Sequence, residues 1–212
     1  KWNMGWMNDF LEYMKLDPYF RKGAHNMMTF AMTYAYSENY ILVLSHDEVV
    51  HLKRSMINKM PGEYEEKFAN LKAAYAFMLG HPGKKLLFMG QEFAQLQEWS
   101  EARELDWYLL EQDQHRELQA FVKALLHLYQ KHPALYELDT HPDGFQWINA
   151  NDGYRSIFSF MRFDKAGTGQ RCGGVWRKRR READRLQGRG RRVRRSALFD
   201  RLSAAGVWSG CV

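Results

Sequence analysis

The segment Tyr40-Ile-Leu-Val-Leu-Ser-His-Asp-Glu-Val-Val-His51 constrains this chain more than any other: an apolar run stops abruptly at an imidazole and two carboxylates. Residues 40–44 are apolar on both alternating faces, which marks a strand covered on two sides, as in a parallel sheet. Acid and imidazole at the C-terminal end of such a strand are what an α/β barrel uses to build an active site, because the loops there vary while the strands hold position. His46 and Asp47 are the first candidate site residues.

The neighbouring segments alternate in the same sense. Trp6, Met7, Phe10, Leu11 and Met14 lie close to one helical face before Asp17-Pro18 breaks the pattern, so residues 1–20 read as a short helix and a loop. Between Lys22 and Glu38 the apolar residues are too dense for a one-sided stripe; a buried strand or a helical turn running into a helix fits. Val49 to Gly62 is a long connection. Tyr64, Phe68, Leu71, Tyr75 and Met78 then recur at helical spacing, with acids in the first turn and Gly80-His-Pro-Gly83 as the stop. Lys85–Met89 is a second apolar run, ending at Gly90-Gln-Glu92, and after another long loop Gln114–Lys131 is a second amphipathic helix. Strand, loop, helix, strand predicts parallel βα units with right-handed crossovers.

From Leu138 the texture changes. Phe145–Ile148, the turn Asn151-Asp-Gly153 and the strand-like Tyr154–Phe163 read as a hairpin that opens an all-β domain. The turn Asp164-Lys-Ala-Gly167 promises a further strand, yet the text from Arg171 onward shows no alternation, and no strand is expected there. Residues 171–212 hold twelve arginines and one lysine against three acids, whereas residues 1–170 carry 18 basic and 22 acidic side chains. The headline net charge of +6 therefore describes the tail and not the body. Both cysteines, Cys172 and Cys211, also fall in the tail, and a cysteine-free body makes a cytoplasmic setting the default. With 45% hydrophobic residues the chain can bury a sizeable core, and no apolar run approaches membrane-span length. It opens on Lys1 without a signal peptide pattern, as an internal starting point would.

Several motifs at compatible spacing carry a resemblance. Ser45-His-Asp-Glu-Val-Val-His51, Lys59-Met-Pro-Gly62, His81-Pro-Gly-Lys-Lys-Leu-Leu-Phe-Met-Gly90, Glu92-Phe93, Glu98-Trp99 and Leu105-Asp-Trp107 closely resemble the 1,4-α-glucan (glycogen) branching enzymes of the α-amylase superfamily. Lys1-Trp-Asn-Met-Gly-Trp6 is similar to the segment that follows the fifth barrel strand there. The match runs in unbroken order over roughly residues 1–168. Departures are small: Leu52 and Leu96 stand where glycine is frequent in relatives, and Gln91 where Asn is frequent.

The resemblance implies a partial (β/α)8 TIM barrel, residues 1–135, holding the last three or so βα units. Residues 136–168 would begin the all-β C-terminal domain, and 169–212 would be a basic low-complexity tail, disordered and out of frame, as a GC-rich gene reads after a frameshift near Thr168–Arg171. It implies that Asp47 is the carboxylate that stabilises the transition state and that His46 hydrogen-bonds the donor sugar. Retaining transfer passes through an oxocarbenium-like state that a fixed carboxylate suits. The nucleophilic Asp and acid/base Glu of the family belong upstream of Lys1, so the chain is expected to be a fragment that is inactive alone. The implied substrate is an α-glucan whose α-1,4-linked segment moves to a 6-hydroxyl as an α-1,6 branch. No cofactor, no metal, no nucleic acid and no membrane partner are implied, and the parent enzyme is expected to be a cytoplasmic monomer. Another α-amylase superfamily hydrolase is the alternative, followed by nucleic-acid binding through Arg177–Arg195, since dense Arg can neutralise phosphates.

Taken alone, Asp47 is as readily a cap or ion-pair acid and His46 a structural imidazole. Glu48 and His51 divide evenly between loop architecture and site support, and Glu92 reads as a brace for its loop. Trp99 and Trp107 lie in a loop on the expected active face, where their rings either stack on sugar or anchor the loop. Lys53, Arg54 and Lys59 read as a solvated loop, and Met27–Met32 as core filling.

Overall fold

The computed structural model describes residues 1–175. Its first part alternates helices with short parallel strands, and its second is an antiparallel sheet packed on the longest buried helix. Helix α1, Met4–Lys15, starts where the Asn3 side chain accepts a hydrogen bond from the Trp6 amide at 2.9 Å, and it buries Trp6, Met7, Phe10, Leu11, Tyr13 and Met14. Its open C-terminus is closed by Arg21, whose buried guanidinium donates to the Leu16 and Met14 carbonyls at 3.1 and 3.0 Å and to Asn70 at 2.9 Å. Burial lowers the Arg21 pKa.

Residues 21–33 contain no strand. They form successive helical turns, including α2, Asn26–Thr29, so of the two options left by the apolar density the helical one holds. Strand β1, Ile41–Leu44, pairs in parallel with β2, Lys84–Leu87, and Trp2 bridges to Ile41 on the other side, also in parallel. Three parallel segments thus lie in the order Trp2, β1, β2. The strand β2 begins one residue earlier and ends two earlier than its apolar run, because its pairing register is set by β1. Leu42, Val43 and Leu44 are at most 1% exposed, whereas β2, with no strand beyond it among the described residues, is only partly covered.

Between β1 and β2 the chain forms the short helix α3, Met56–Lys59, and then α4, Tyr64–Gly80. A reciprocal capping box between Glu63 and Glu66 starts α4, and His81-Pro82 ends it, since the residue before proline is driven out of the helical region. Its first half is one-sided as the spacing predicts, but every residue from Ala73 to Gly80 is buried. The antiparallel sheet covers the face that a simple amphipathic reading leaves to water: Phe77 packs against Phe10, Phe158 and Phe160 at ring separations of 6.3, 5.8 and 6.1 Å. Helix α5, Asp113–Lys131, buries Leu118, Val122 and Leu125.

The second sheet has the order β3 (Phe145–Asp152), β4 (Ile157–Phe163), β5 (Gly169–Val175). Strand β3 runs through Asn151 and Asp152, so the turn lies at Gly153–Ser156 and not at Asn151-Asp-Gly153. Strand β5 corrects the expectation of no strand past Thr168. It pairs along β4 from Phe163↔Gly169 to Ile157↔Val175. The turn before it is well specified, with Gly167 at φ 78° and Asp164 accepting from the Thr168 amide at 2.7 Å. The glycine-rich run carries no side-chain alternation, but the edge of β4 supplies backbone partners that do not depend on side chains. The remainder of the expected tail, and with it the Arg177–Arg195 run, lies outside the described residues.

A buried charge cluster joins the two parts. Arg162, fully buried on β4, donates to Asp139 at 2.7 Å, to the Gly80 carbonyl at the end of α4 at 2.8 Å, and to the Gly144 carbonyl at 3.0 Å. Asp139 also forms an ion pair with Lys84 at 3.1 Å and accepts from Tyr129 at 3.1 Å. Beside it, His81 is 1% exposed; its Nδ1 donates to the Pro82 carbonyl at 2.9 Å, while Nε2 has no partner among the described residues. Burial pushes the His81 pKa down to about 3.

Two outcomes are expected. Replacing Arg162 by Met leaves Asp139 buried with a weakened set of partners, and urea denaturation should show a loss of about 3–5 kcal/mol with an unchanged m-value. For His81, the folded state refuses a proton that the unfolded chain takes between pH 6.5 and about 3, so stability rises with pH in that window and is lost as pH falls through it. The variant His81→Met should lower the proton uptake on unfolding between pH 6 and 4 by about one, read from stability at stepped pH.

Candidate functional site

The candidate residues sit where β1 ends. Ser45 leaves the strand extended, and His46–Glu48 form a single tight turn closed by the Val49 amide donating to the His46 carbonyl at 2.9 Å. The Asp47 carboxylate accepts from the Ser45 hydroxyl at 3.2 Å, and its other oxygen lies 3.2 Å from His46 Nε2. Both side chains are about half exposed, at 46% each, so they are held by neighbours and still open to a ligand.

The loop after β2 forms one wall. Phe88 and Trp99 meet edge to face at 5.3 Å, and the His46 ring lies 5.8 Å from Phe88 and 6.1 Å from Trp99. The Trp99 amide donates to the Val49 carbonyl at 2.8 Å, which pins this wall to the turn that carries Asp47. The two strand ends are tied together by Gln91: its buried side-chain amide nitrogen donates to the Leu44 carbonyl at 3.1 Å, and its backbone carbonyl accepts from the Tyr75 hydroxyl at 2.9 Å.

Glu98 completes the frame. Its carboxylate accepts from the Leu52 and Arg54 amides at 3.0 and 2.6 Å, and these bonds hold its pKa below the usual carboxylate value. The clamped loop is strained, with His51, Leu52 and Arg54 at φ 54°, 68° and 69°. Left-handed backbone is unfavourable for residues with a Cβ.

The structure therefore brings His46, Asp47 and Trp99 together. It sends Glu48 elsewhere: that carboxylate, 12% exposed, accepts from Lys53 at 3.1 Å and lies 3.9 Å from Lys59. Lys59 corrects the solvated-loop reading, because its side chain is 3% exposed and its ammonium donates to the Lys53 carbonyl at 2.6 Å. Burial lowers its pKa against the opposing pull of Glu48. His51 is exposed on the strained loop. Glu92, half-buried, makes no hydrogen bond or salt bridge among the described residues, so no brace is seen. Trp107 is half exposed and packs on Phe93 at 5.2 Å, away from His46. Sequence reasoning gave no role to Ser45, Phe88, Gln91 or Glu98; the Glu98-Trp99 pair was visible as a motif, but what it touches was not. Among the described residues no group of three His, Cys, Asp or Glu is placed to hold a metal ion.

In chemical terms the site presents an exposed carboxylate, oriented by a hydroxyl, beside an imidazole and an aromatic wall. Such a group can stabilise positive charge developing on a bound ligand, and the imidazole can hydrogen-bond a hydroxyl.

No family model matches the chain. It is 66% identical over 162 residues to the 1,4-alpha-glucan branching enzyme GlgB of Butyrivibrio fibrisolvens, covering 76% of this chain and 25% of that protein. It is 57% identical over 165 residues to the enzyme of the same name from Bacillus caldolyticus, covering 78% of this chain and 25% of that protein. The chain thus spans about a quarter of the length of these relatives. Solved structures with a similar fold include AmyP in complex with maltose, at TM-score 0.57 and 15% identity over 82% of this chain and 39% of that chain. Another is apo pullulanase from Paenibacillus barengoltzii, at TM-score 0.56 and 18% identity over 81% of this chain and 30% of that chain. Over the stretch that matches, the chain is homologous to part of the 1,4-alpha-glucan branching enzymes, and its fold is similar to that of AmyP and pullulanase.

Proposed function

We propose that this segment supplies one carboxylate and the donor-sugar histidine to the active site of a glucan branching enzyme. Asp47 stabilises the oxocarbenium-like transition state, and His46 hydrogen-bonds a hydroxyl of the donor sugar. The observation that carries this reading is the half-exposed His46–Asp47 pair at the C-terminal end of the central parallel segment, with Trp99 as its wall. Trp2, β1 and β2, followed in turn by α1, α4 and α5, support the view that residues 1–135 are the last three or so βα units of a (β/α)8 barrel. In that reading β3–β5 begin the C-terminal all-β domain.

The proposed reaction cleaves an α-1,4 linkage, holds the glucan covalently on a nucleophilic Asp, and passes it to a 6-hydroxyl. Neither that Asp nor the acid/base Glu is assigned to any residue of this chain. Asp47 acts by charge and position alone, and Ser45 and His46 fix its orientation. The same reading makes the substrate an α-glucan and the setting cytoplasmic, with the whole enzyme a monomer.

Branching is tested in the enzyme that contains this segment, by counting new α-1,6 linkages by NMR. Asp47→Asn should lower the turnover by on the order of 10²–10³-fold or more with a much smaller change in KM, as the loss of a transition-state contact does. Chain shortening without new branch points would favour a hydrolase of the same superfamily. The 212-residue chain by itself should form no branches, and branches made by the pure chain would sink the proposal.

Glu98 is proposed to position the loop beside the site. In Glu98→Ala the amides of residues 49–54 should exchange with solvent about tenfold faster or more, with Glu98→Gln in between, while the amides of α4 keep their protection. Unchanged exchange at Leu52 and Arg54 would show that the clamp holds nothing.

A further inference from the structure

A cavity of about 740 Å³ opens between α1, the loop 48–62 and the first turn of α4. Its charges are unbalanced. Five cationic side chains line it, Lys15, Lys53, Arg54, Lys59 and Lys67, against two carboxylates, Glu12 and Glu48. Each carboxylate already holds a lysine: Glu12 takes Lys15 at 2.6 Å and Glu48 takes Lys53 at 3.1 Å. Arg54 and Lys67 form no ion pair among the described residues.

Lys59 sharpens the imbalance. An ammonium has three donors, and this one, 3% exposed, makes one hydrogen bond among the described residues, to the Lys53 carbonyl at 2.6 Å, with a carboxylate oxygen of Glu48 3.9 Å away. Burying a cation with donors to spare costs free energy, and a dianion brought to it would recover that cost. A neutral sugar would leave the three surplus charges as they are. Cations gathered in a concave wall also focus positive potential and raise the local concentration of anions.

We infer that this cavity is a binding site for a phosphate dianion, free or carried on a small sugar, held by Lys59, Arg54 and Lys67. Glu48 links the site to Asp47, because both belong to the same three-residue turn and Glu48 lies beside Lys59, which the anion would engage. An occupied cavity draws Lys59 off Glu48 and loosens one anchor of that turn. The inference stands apart from any assignment of catalytic roles.

Isothermal titration of the full chain at low salt tests it with three probes: orthophosphate, glucose 6-phosphate and glucose. Both phosphates should bind and glucose should not. In Arg54→Gln/Lys67→Gln the affinity for each phosphate should drop by about tenfold or more, and in Lys59→Met it should drop at least as far. The arginine-rich residues 177–201 are present in every protein compared, so anion binding to them is a common background against which the change at the cavity is read. Lys59→Met carries a risk to folding that the double variant at the cavity rim does not share. Tighter binding of glucose 6-phosphate than of orthophosphate identifies a sugar phosphate as the ligand, and equal binding identifies free phosphate. Retained affinity in the double variant, or absence of phosphate binding to the unaltered chain, overturns the inference.

Discussion

The contact on which the rest of this structure depends is the buried pair of Arg162 and Asp139. A guanidinium with no exposed surface is tolerable only if its donors are used, and here they reach a carboxylate and two backbone carbonyls. One of those carbonyls, Gly80, is an otherwise open acceptor at the end of α4. Asp139 in turn holds Lys84, the first residue of β2. The sheet of β3–β5 is therefore locked to the place where α4 hands over to β2, and the direction of β2 is set before its apolar residues begin. Close packing extends the effect, since Phe77, Phe158 and Phe160 leave α4 no freedom to slide. The candidate site lies at the far end of the strands. Its geometry follows from this junction through β2 to Phe88 and Gln91.

Around the site the balance of energies is different. His51, Leu52 and Arg54 each carry a cost on the order of 1–3 kcal/mol for left-handed backbone, and such strain persists only where neighbours over-determine it. Here the neighbours are specific: Glu98 accepts two amides of the loop, Lys59 donates to its Lys53 carbonyl, and Trp99 ties Val49. The result is a rigid surround for a half-exposed carboxylate. Rigidity of this kind is what a group acting by fixed charge needs, since reorienting it during reaction would consume the stabilisation it provides.

What could be read from the chain divides along the same physical line. Periodicity locates α1, β1, α4, β2 and α5 because each is dictated by apolar spacing and by local stops such as Asp17-Pro18 and His81-Pro82. The parallel alternation and the His46–Asp47 strand end are legible for that reason. The left-handed loop is not: nothing in His51-Leu-Lys-Arg54 signals positive φ, and the conformation is imposed by Glu98 from 44 and 46 residues away in sequence. Lys59 reads as solvated because burial of a lysine has no local signature. Strand β5 is missed because Gly169-Gln-Arg-Cys-Gly-Gly-Val175 has no alternation; its order comes from the edge of β4 and from the Asp164–Gly167 turn. Likewise the second face of α4 is hidden in a helix whose partners lie far along the chain.

The strand order says why the site residues fall on β1 and not on its neighbour. Of the three parallel segments β1 is the middle one, flanked by the Trp2 segment and by β2, and its residues 42–44 are sealed. Among the described residues strand β2 is paired on one side and only partly covered. Asp47 instead follows a strand whose backbone is bonded on both sides. Its turn is held by Phe88 and Gln91 from the segment after β2, so that segment contributes walls and β1 contributes the charge.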